Sequence, residues 1–403
     1  MLTPSYTATA TERVLPRLAL DFTTGVLDSR VTITRSLNTA TRTNSSGLIE
    51  IVNADLPRFD YDPVTLAPRG LLIEETRSNV VLYSQQFNDA GWVRINSATV
   101  GADTVTSPDG TTNADTITLS GAFGGVYRTT TIALGTVTAS CYFKASTANA
   151  AVVLGITDNS VDYGFRFNIS TGAIQFINAG LASASITAVG NGWYRAAITR
   201  VLVAANPNIY TTIPSGASGN AYHVWGAQLE AGAFATSYIP TTTTSVTRNA
   251  DVVTMTGTNF SSWYSSTQGA FVAWFDTLRP AGVGYIYSAN AGGSVGNSIY
   301  QSVFSNTTDN YVLSGGVQQA RLLSGTISAN TQAKAALRYA NANFATAANG
   351  GALQTQLSGS LPIGVDRLHI GHSAGGGNFL NGHAAKLFWY ANLTNAEIVA
   401  FTK

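Results

Sequence analysis

The stretch from Pro57 to Ser84 reads PRFDYDPVTLAPRGLLIEETRSNVVLYS, and the rest of the chain is organised around it. Pro57, Pro63 and Pro68 are followed by Gly70 and then by an apolar run. Proline fixes φ and removes a backbone donor, so the first half suits neither a helix nor a central strand. The spacing predicts an ordered extended crossover that ends in a strand at Leu71–Ile73. Glu74 and Glu75 come next, and as neighbours in a strand they face opposite ways.

Residues 1–13 are rich in Thr and Ala, without periodicity, and read as an extended arm. RLALDF, RVTITRS and LIEIVN follow as short strands, with turn signals at Thr23–Gly25 and Asn44–Gly47. They hold too little apolar material for a core of their own, so they pack on the next domain or on another subunit. From Phe87 to about Ala250, VTASCYFKAS and YGFRFNI alternate with period two, as half-buried strands do. Turn signals every eight to twelve residues predict an all-β sandwich. PTTTTSVTRNAD, Pro240–Asp251, is a linker or a returning edge strand. From Val252, the strand-like GAFVAWFDTL, VGYIYSAN, NSIYQSVFS and KLFWYANL predict a second sandwich. The alanines of NTQAKAALRYANANF also suit a helix. Thr394 and Glu397 form a capping box for one terminal helical turn. The expected fold is all-β, divided at 1–86, 87–251 and 252–403.

Charged residues make up 11% of the 403 residues, with a net charge of +1, against about 25% in an ordinary soluble domain. A surface of hydroxyls and amides follows, and part of it is expected to be buried between copies. No basic stripe stands out, so nucleic acid is not an expected partner. The N-terminus lacks the basic and apolar regions of a signal peptide, and no apolar run is long enough to span a membrane. Cys141 is the single cysteine and reads as a small buried hydrophobe.

GLLIEETRSNVVLYSQQFNDAGW resembles a segment of tailed-bacteriophage virion structural proteins, the tail fibre, tail spike and head fibre types, whose consensus contains "RGLLIEExRTN". The likeness runs from Pro57 to Trp92. In that family the segment leads into a carbohydrate-binding-module-like jelly roll. GWYRAAIT and HVWGAQLEAGAFATSYIPT resemble that jelly roll's last strands. DRLHIGHSAGGGNFLNGHAAKLFWYANL resembles the end of a concanavalin A-like (laminin G-like) sandwich. The resemblance implies a virion-surface protein made in the host cytoplasm. Residues 1–86 would attach it to other virion proteins, and residues 252–403 would contact host-surface glycan during adsorption. It implies a homo-oligomer, with a trimer favoured. The other reading is a head fibre or capsid decoration protein without essential receptor binding, and a polysaccharide depolymerase ranks below both.

Candidate chemistry is sparse. Sugar-cleaving enzymes need a pair of carboxylates, but after Val252 there are only Asp276, Asp309, Asp366 and Glu397. No catalytic residue is therefore expected. Should cleavage occur, Glu74, Glu75 and Glu230 are the first to test. His369 and His372, three apart in a strand-like segment, are expected on opposite faces. SPDGTTNAD offers Asp109, Asn113 and Asp115, with Asp103 just upstream, as oxygen ligands for a structural calcium, which jelly-roll modules often hold. The same Asp-Gly pair also reads as an ordinary turn. Most of the six tryptophans fall in strand patterns and are expected in the core. Tyr285, Tyr287, Tyr300 and Tyr311 are the candidates for exposed rings in loops, but no ligand-binding set is singled out.

Overall fold

The computed structural model describes residues 15–146, 151–279 and 281–403. The expected arm at 1–13 lies outside them. The fold is all-β and consists of two sandwiches. The larger pairs an eight-stranded sheet with a seven-stranded one, and the smaller pairs two six-stranded sheets.

The sheet order assigns the N-terminal residues differently from the expected division. Strand Leu18–Asp21 pairs antiparallel with Gly382–Tyr390, near the C-terminus. Thr32–Thr34 pairs with Val252–Thr256. The proline-rich stretch is a hairpin, not a crossover: Phe59–Tyr61 pairs with Pro68–Ile73, which pairs in turn with Gly382–Tyr390. The prolines fit because Phe59–Tyr61 is the edge strand and Pro68 opens its strand. Gly70 sits at φ +111, where a Cβ would lie 2.4 Å from the Ala384 carbonyl oxygen. Only glycine allows that approach.

Leu18, Leu20, Phe22, Ile33, Leu71 and Ile73 thus share one core with Phe271, Ile299, Leu368 and Trp389. Burying six such side chains is worth on the order of 10 kcal/mol, comparable with the whole stability of a domain. The larger sandwich is therefore one unit built from both ends of the chain. The segment before Arg77 is structural to it and not a separate region, and residues 252–403 alone are not a complete fold.

The smaller sandwich is inserted between those ends. The chain leaves through Arg77–Asn79 and returns through Val246–Arg248, which pair antiparallel as a two-stranded ribbon. Its own core contains Val81, Phe87, Trp92, Cys141, Phe143, Phe165, Ile198 and Leu229. Burial pushes the Cys141 thiol up, so it stays protonated. NTQAKAALRYANANF is strand: Ala333–Ala340 turns back into Phe344–Ala348. Ala335 and Leu337 face the main core, while Ala336 faces a satellite core under the C-terminal helix. That burial on both faces overrides helix propensity. The helix Asn395–Ala400 carries the expected capping box of Thr394 and Glu397.

A buried ion cluster joins the two sandwiches. Arg58 is fully buried and donates from Nη1 to Glu74 Oε2 at 2.7 Å, to Ser237 Oγ at 2.9 Å and to the Thr41 carbonyl at 3.0 Å. Its Nη2 pairs with Asp251. Arg248 Nη1 meets Glu74 Oε2 at 2.8 Å, and Arg35 Nη1 meets Asp251 Oδ1 at 2.8 Å. Burial opposes charge on Glu74, but the fields of Arg248 and Arg58 and the bonds from Ser237 hold its carboxyl well below the usual range. Removing one partner leaves an uncompensated buried charge, at about 3–5 kcal/mol. Arg58→Met is expected to lower unfolding free energy by about that amount in denaturant titration. A loss below about 1 kcal/mol would show that the cluster does not hold the junction.

A second buried cluster ties the hairpin to the C-terminal strand. His383 Nδ1 donates to Asp276 Oδ1 at 2.8 Å, and its Nε2 donates to Asp60 Oδ2 at 2.9 Å. Asp276 also accepts from Arg69 Nη2 at 3.0 Å. Burial disfavours the imidazolium, but Asp276 and Asp60 together raise His383 to about 9. Asp276, despite burial, is lowered to about 2, chiefly by the charge and bond of His383. The His383 contribution is complete below about pH 6.5 and is lost as pH rises through about 9. The Asp276 contribution is complete above about pH 4 and is lost as pH falls through about 2. Thermal melting of wild type against His383→Gln should show a gap that is widest between about pH 4 and 6.5 and shrinks by roughly 3 kcal/mol toward pH 10. A gap independent of pH would mean that the ring is neutral in the fold.

Candidate functional site

The proposed calcium ligands form two separate sets. Asp109 caps its own turn: its Oδ1 accepts from Thr111 N at 2.8 Å and its Oδ2 from Asn113 Nδ2 at 3.0 Å. Asp115 is buried and accepts from Phe87 N at 2.7 Å and from Asp103 N at 3.0 Å. Burial, with the Asp103 charge in a lesser role, raises its carboxyl. Among the described residues no three carboxylate, imidazole or thiol groups are arranged to hold a metal. Asp109 thus serves an Asp-Gly turn, with both of its oxygens bonded inside the loop.

The carboxylates after Val252 are engaged one by one. Asp309 pairs with Arg321 at 2.8 Å, Asp366 pairs with Arg367 at 2.9 Å, and Glu397 caps its helix. Glu75 pairs with Arg77, and Glu230 is buried and accepts from Thr236 and Gln228. His369 and His372 do not face apart. Their rings meet edge to face at 4.8 Å, because the strand ends at Ile370 and Gly371, at φ +76, turns the chain. Trp92, Trp193, Trp225, Trp263 and Trp389 are buried, as the strand pattern predicts. Trp274 is half-buried, with Lys334 and Lys386 over its ring.

The tyrosines lie on strands, not in loops. Tyr287 is core and stacks on Phe271 at 4.3 Å. Tyr285, Tyr300 and Tyr311 stack on one another across three neighbouring strands, at 4.6 and 5.0 Å, and Arg321 covers the far ring at 4.8 Å. Their faces are spent on each other, so this ladder offers edges and not an open platform.

The aromatic groove is on the inserted sandwich, where Phe123 is exposed, Tyr127 is half-buried and Tyr210 is buried. In one of its sheets, Ala151–Asp158, Val161–Asn168, Asn208–Ile213 and Gly124–Thr129 are neighbours. Val152, Leu154, Ile156, Phe165, Ile209 and Val126 point into the core. Alternation therefore turns Gly155, Thr157, Asp162, Gly164, Asn208, Tyr210 and Tyr127 outward. Gly164, Gly155, Tyr210 and Tyr127 form one row across the sheet. The Tyr210 ring lies over Gly155, where a Cβ would fall 2.0 Å from its Cζ, and its hydroxyl reaches Gly164, where a Cβ would fall 3.1 Å from it. The two glycines thus make room for a ring laid flat on the sheet. The resulting groove of about 460 Å³ is also lined by Phe123, Thr212 and Pro214.

Its polar groups are set by short bonds. Thr157 Oγ1 donates to Asp162 Oδ1 at 2.6 Å, and Thr129 Oγ1 donates to Asn208 Oδ1 at 2.7 Å. Asp162 Oδ2 and Asn208 Nδ2 carry no bond to a described residue. Burial, and then the Asp162 charge, push the Tyr210 hydroxyl up, so it remains a donor. Among the described residues lining the groove, Asp162 is the only carboxylate or base. Rings, one carboxylate acceptor and amide and hydroxyl donors suit a neutral polyhydroxylated ring, whose C–H groups pack on aromatic faces. Sequence reasoning missed this site because its residues come from separate strands. The available signal was glycine in mid-strand, at Gly155 and Gly164, which marks a close approach.

No protein-family model matches the chain, and no curated protein sequence matches it. Among solved structures, the chain is similar to the CBM40 of Ruminococcus gnavus IT-sialidase bound to alpha2,3 sialyllactose, at 16% identity over 36% of this chain and 88% of that one, with a TM-score of 0.31. It is also similar to domains LG4-5 of the mouse laminin alpha1 chain, at 9% identity over 74% and 89%, TM-score 0.22. A third is Trypanosoma rangeli sialidase, at 11% identity over 72% and 60%, TM-score 0.28. At such identities and scores these are likenesses only, and the ligands of those proteins do not transfer.

Proposed function

We propose that this chain is a non-catalytic glycan-binding protein and that the groove over Gly155 and Gly164 holds a neutral sugar. The observation that carries this is a groove in which exposed Phe123 and half-buried Tyr127 stand beside Asp162 and Asn208, whose Oδ2 and Nδ2 carry no bond to a described residue. The sequence alone put glycan contact in residues 252–403, and the groove moves the proposal to the inserted sandwich. The likeness of Pro57–Trp92 to virion structural proteins supports a place on a phage surface, as a tail fibre or spike component that contacts host glycan. A single groove of this size binds weakly, and copies in an oligomer raise avidity by roughly 10²–10⁴.

A glycan array probed with the intact protein should show neutral glycans bound, with Tyr127→Ala and Asp162→Asn each reducing the signal about tenfold while melting is unchanged. Equal signals for wild type and both variants would remove the groove from the reading. Catalysis is expected to be absent, so incubation with capsule or lipopolysaccharide should release no new reducing ends. Their release, and its loss in Glu75→Gln, would overturn the non-catalytic part.

A further inference from the structure

A second opening, about 610 Å³, lies where the ribbon, the inserted sandwich and the larger sandwich meet. Glu75 and Arg77 line it from the ribbon side, Gly232 and Phe234 from the inserted sandwich, and Arg279 from the larger one. Glu75 is the only carboxylate among the lining residues, and it is already engaged. Its Oε1 accepts from Arg77 Nε at 2.7 Å and pairs with Nη2 at 2.5 Å, while its Oε2 accepts from Asn381 Nδ2 at 3.2 Å.

The positive side is in excess. Arg77 is only 7% exposed. Its guanidinium rests on the Phe234 ring at 4.8 Å and against Gly232, where a Cβ would come within 1.6 Å of Nη1. That Nη1 is buried and has no hydrogen-bond partner among the described residues. Arg279 is exposed, and its side chain makes no ion pair with a described residue. Two guanidiniums from different parts of the fold thus face one cleft that holds a single, already paired carboxylate. The planar guanidinium fork matches a carboxylate. Ser78 and Thr136 add hydroxyl-bearing residues to the wall, and Val80 and Ile132 add apolar surface.

We propose that this cleft binds a carboxylate ligand, held by Arg279 with Arg77 Nη1 as the second donor; that the ligand is an acidic sugar rests on the glycan-binding reading above. The site is distinct from the neutral-sugar groove, which carries the opposite charge. It does not depend on the groove reading, because the two share no residue.

The test is ligand-observed NMR on the intact protein with D-glucuronate, with D-glucose and sulfate as controls. Glucuronate is expected to bind with a millimolar Kd, at least tenfold tighter than glucose, and not to be displaced by equimolar sulfate. Arg279→Gln, an exposed change that leaves the fold intact, should weaken glucuronate at least tenfold. Arg77→Lys, checked for unchanged melting, should weaken it as well, and Asp162→Asn should leave it unaffected. Glucuronate binding no tighter than glucose, full displacement by sulfate, or wild-type affinity in Arg279→Gln would each overturn the proposal. Loss of glucuronate binding in Asp162→Asn would place the ligand in the groove instead and would likewise overturn it.

Discussion

Five charged side chains without access to water hold this structure in register. Arg35, Arg58 and Glu74 precede the insertion, while Arg248 and Asp251 follow it. Ser237, inside the insertion, bonds both Arg58 and Glu74. Burying such groups costs several kcal/mol per ion, and their attraction repays this only where every lone pair and proton is matched. Here most of the matching comes from three parts of the chain at once, and Arg35 Nε and Arg248 Nε are left without a hydrogen-bond partner among the described residues. The cluster therefore adds little net stability but makes any other docking of the two sandwiches costly. Glu230, buried nearby, adds a third carboxylate whose field favours the charge on Arg248.

Insertion through a two-stranded ribbon is what makes this tolerable. Arg77–Asn79 and Val246–Arg248 leave side by side, so the larger sandwich sees the insertion as a short closed loop. Asn79 secures the far side. Its Nδ2 donates to the Ala227 and Ile239 carbonyls and its Oδ1 accepts from Val81 and Leu229. All of its bonding capacity is used inside the protein, so the ribbon ends firmly against the inserted core.

The sequence disclosed the strands more fully than it disclosed their partners. Period-two alternation located Thr136–Ala145 and Val161–Asn168, and the capping box located the last helix. Those signals are local. That Leu18–Asp21 lies beside Gly382–Tyr390 is a pairing across more than 360 residues, and no local pattern encodes it. The apparent poverty of the N-terminal segment was the clue: strands with half a core need the other half elsewhere. The charged letters of the Pro57–Ser84 stretch were legible as unusual but not as buried, because Arg58 and Glu74 look like surface residues until Asp251 and Ser237 are placed beside them. The groove was hidden for a related reason, since alternation shows which residues face outward but not which rows they form across a sheet.

Charge is scarce in this chain, and its placement decides what each surface can do. With 22 basic and 21 acidic residues, the protein has no net field to steer a charged partner from a distance. Many of the charges are held in ion pairs or buried clusters, and from Ser170 to Tyr194 there is none at all. Recognition therefore rests on short-range fit. One unpaired carboxylate oxygen biases the groove toward hydroxyl donors and against anions. Two under-used guanidiniums bias the cleft the other way. In a surface made mostly of hydroxyls, amides and small apolar groups, these few unmatched charges give the two openings opposite local charge.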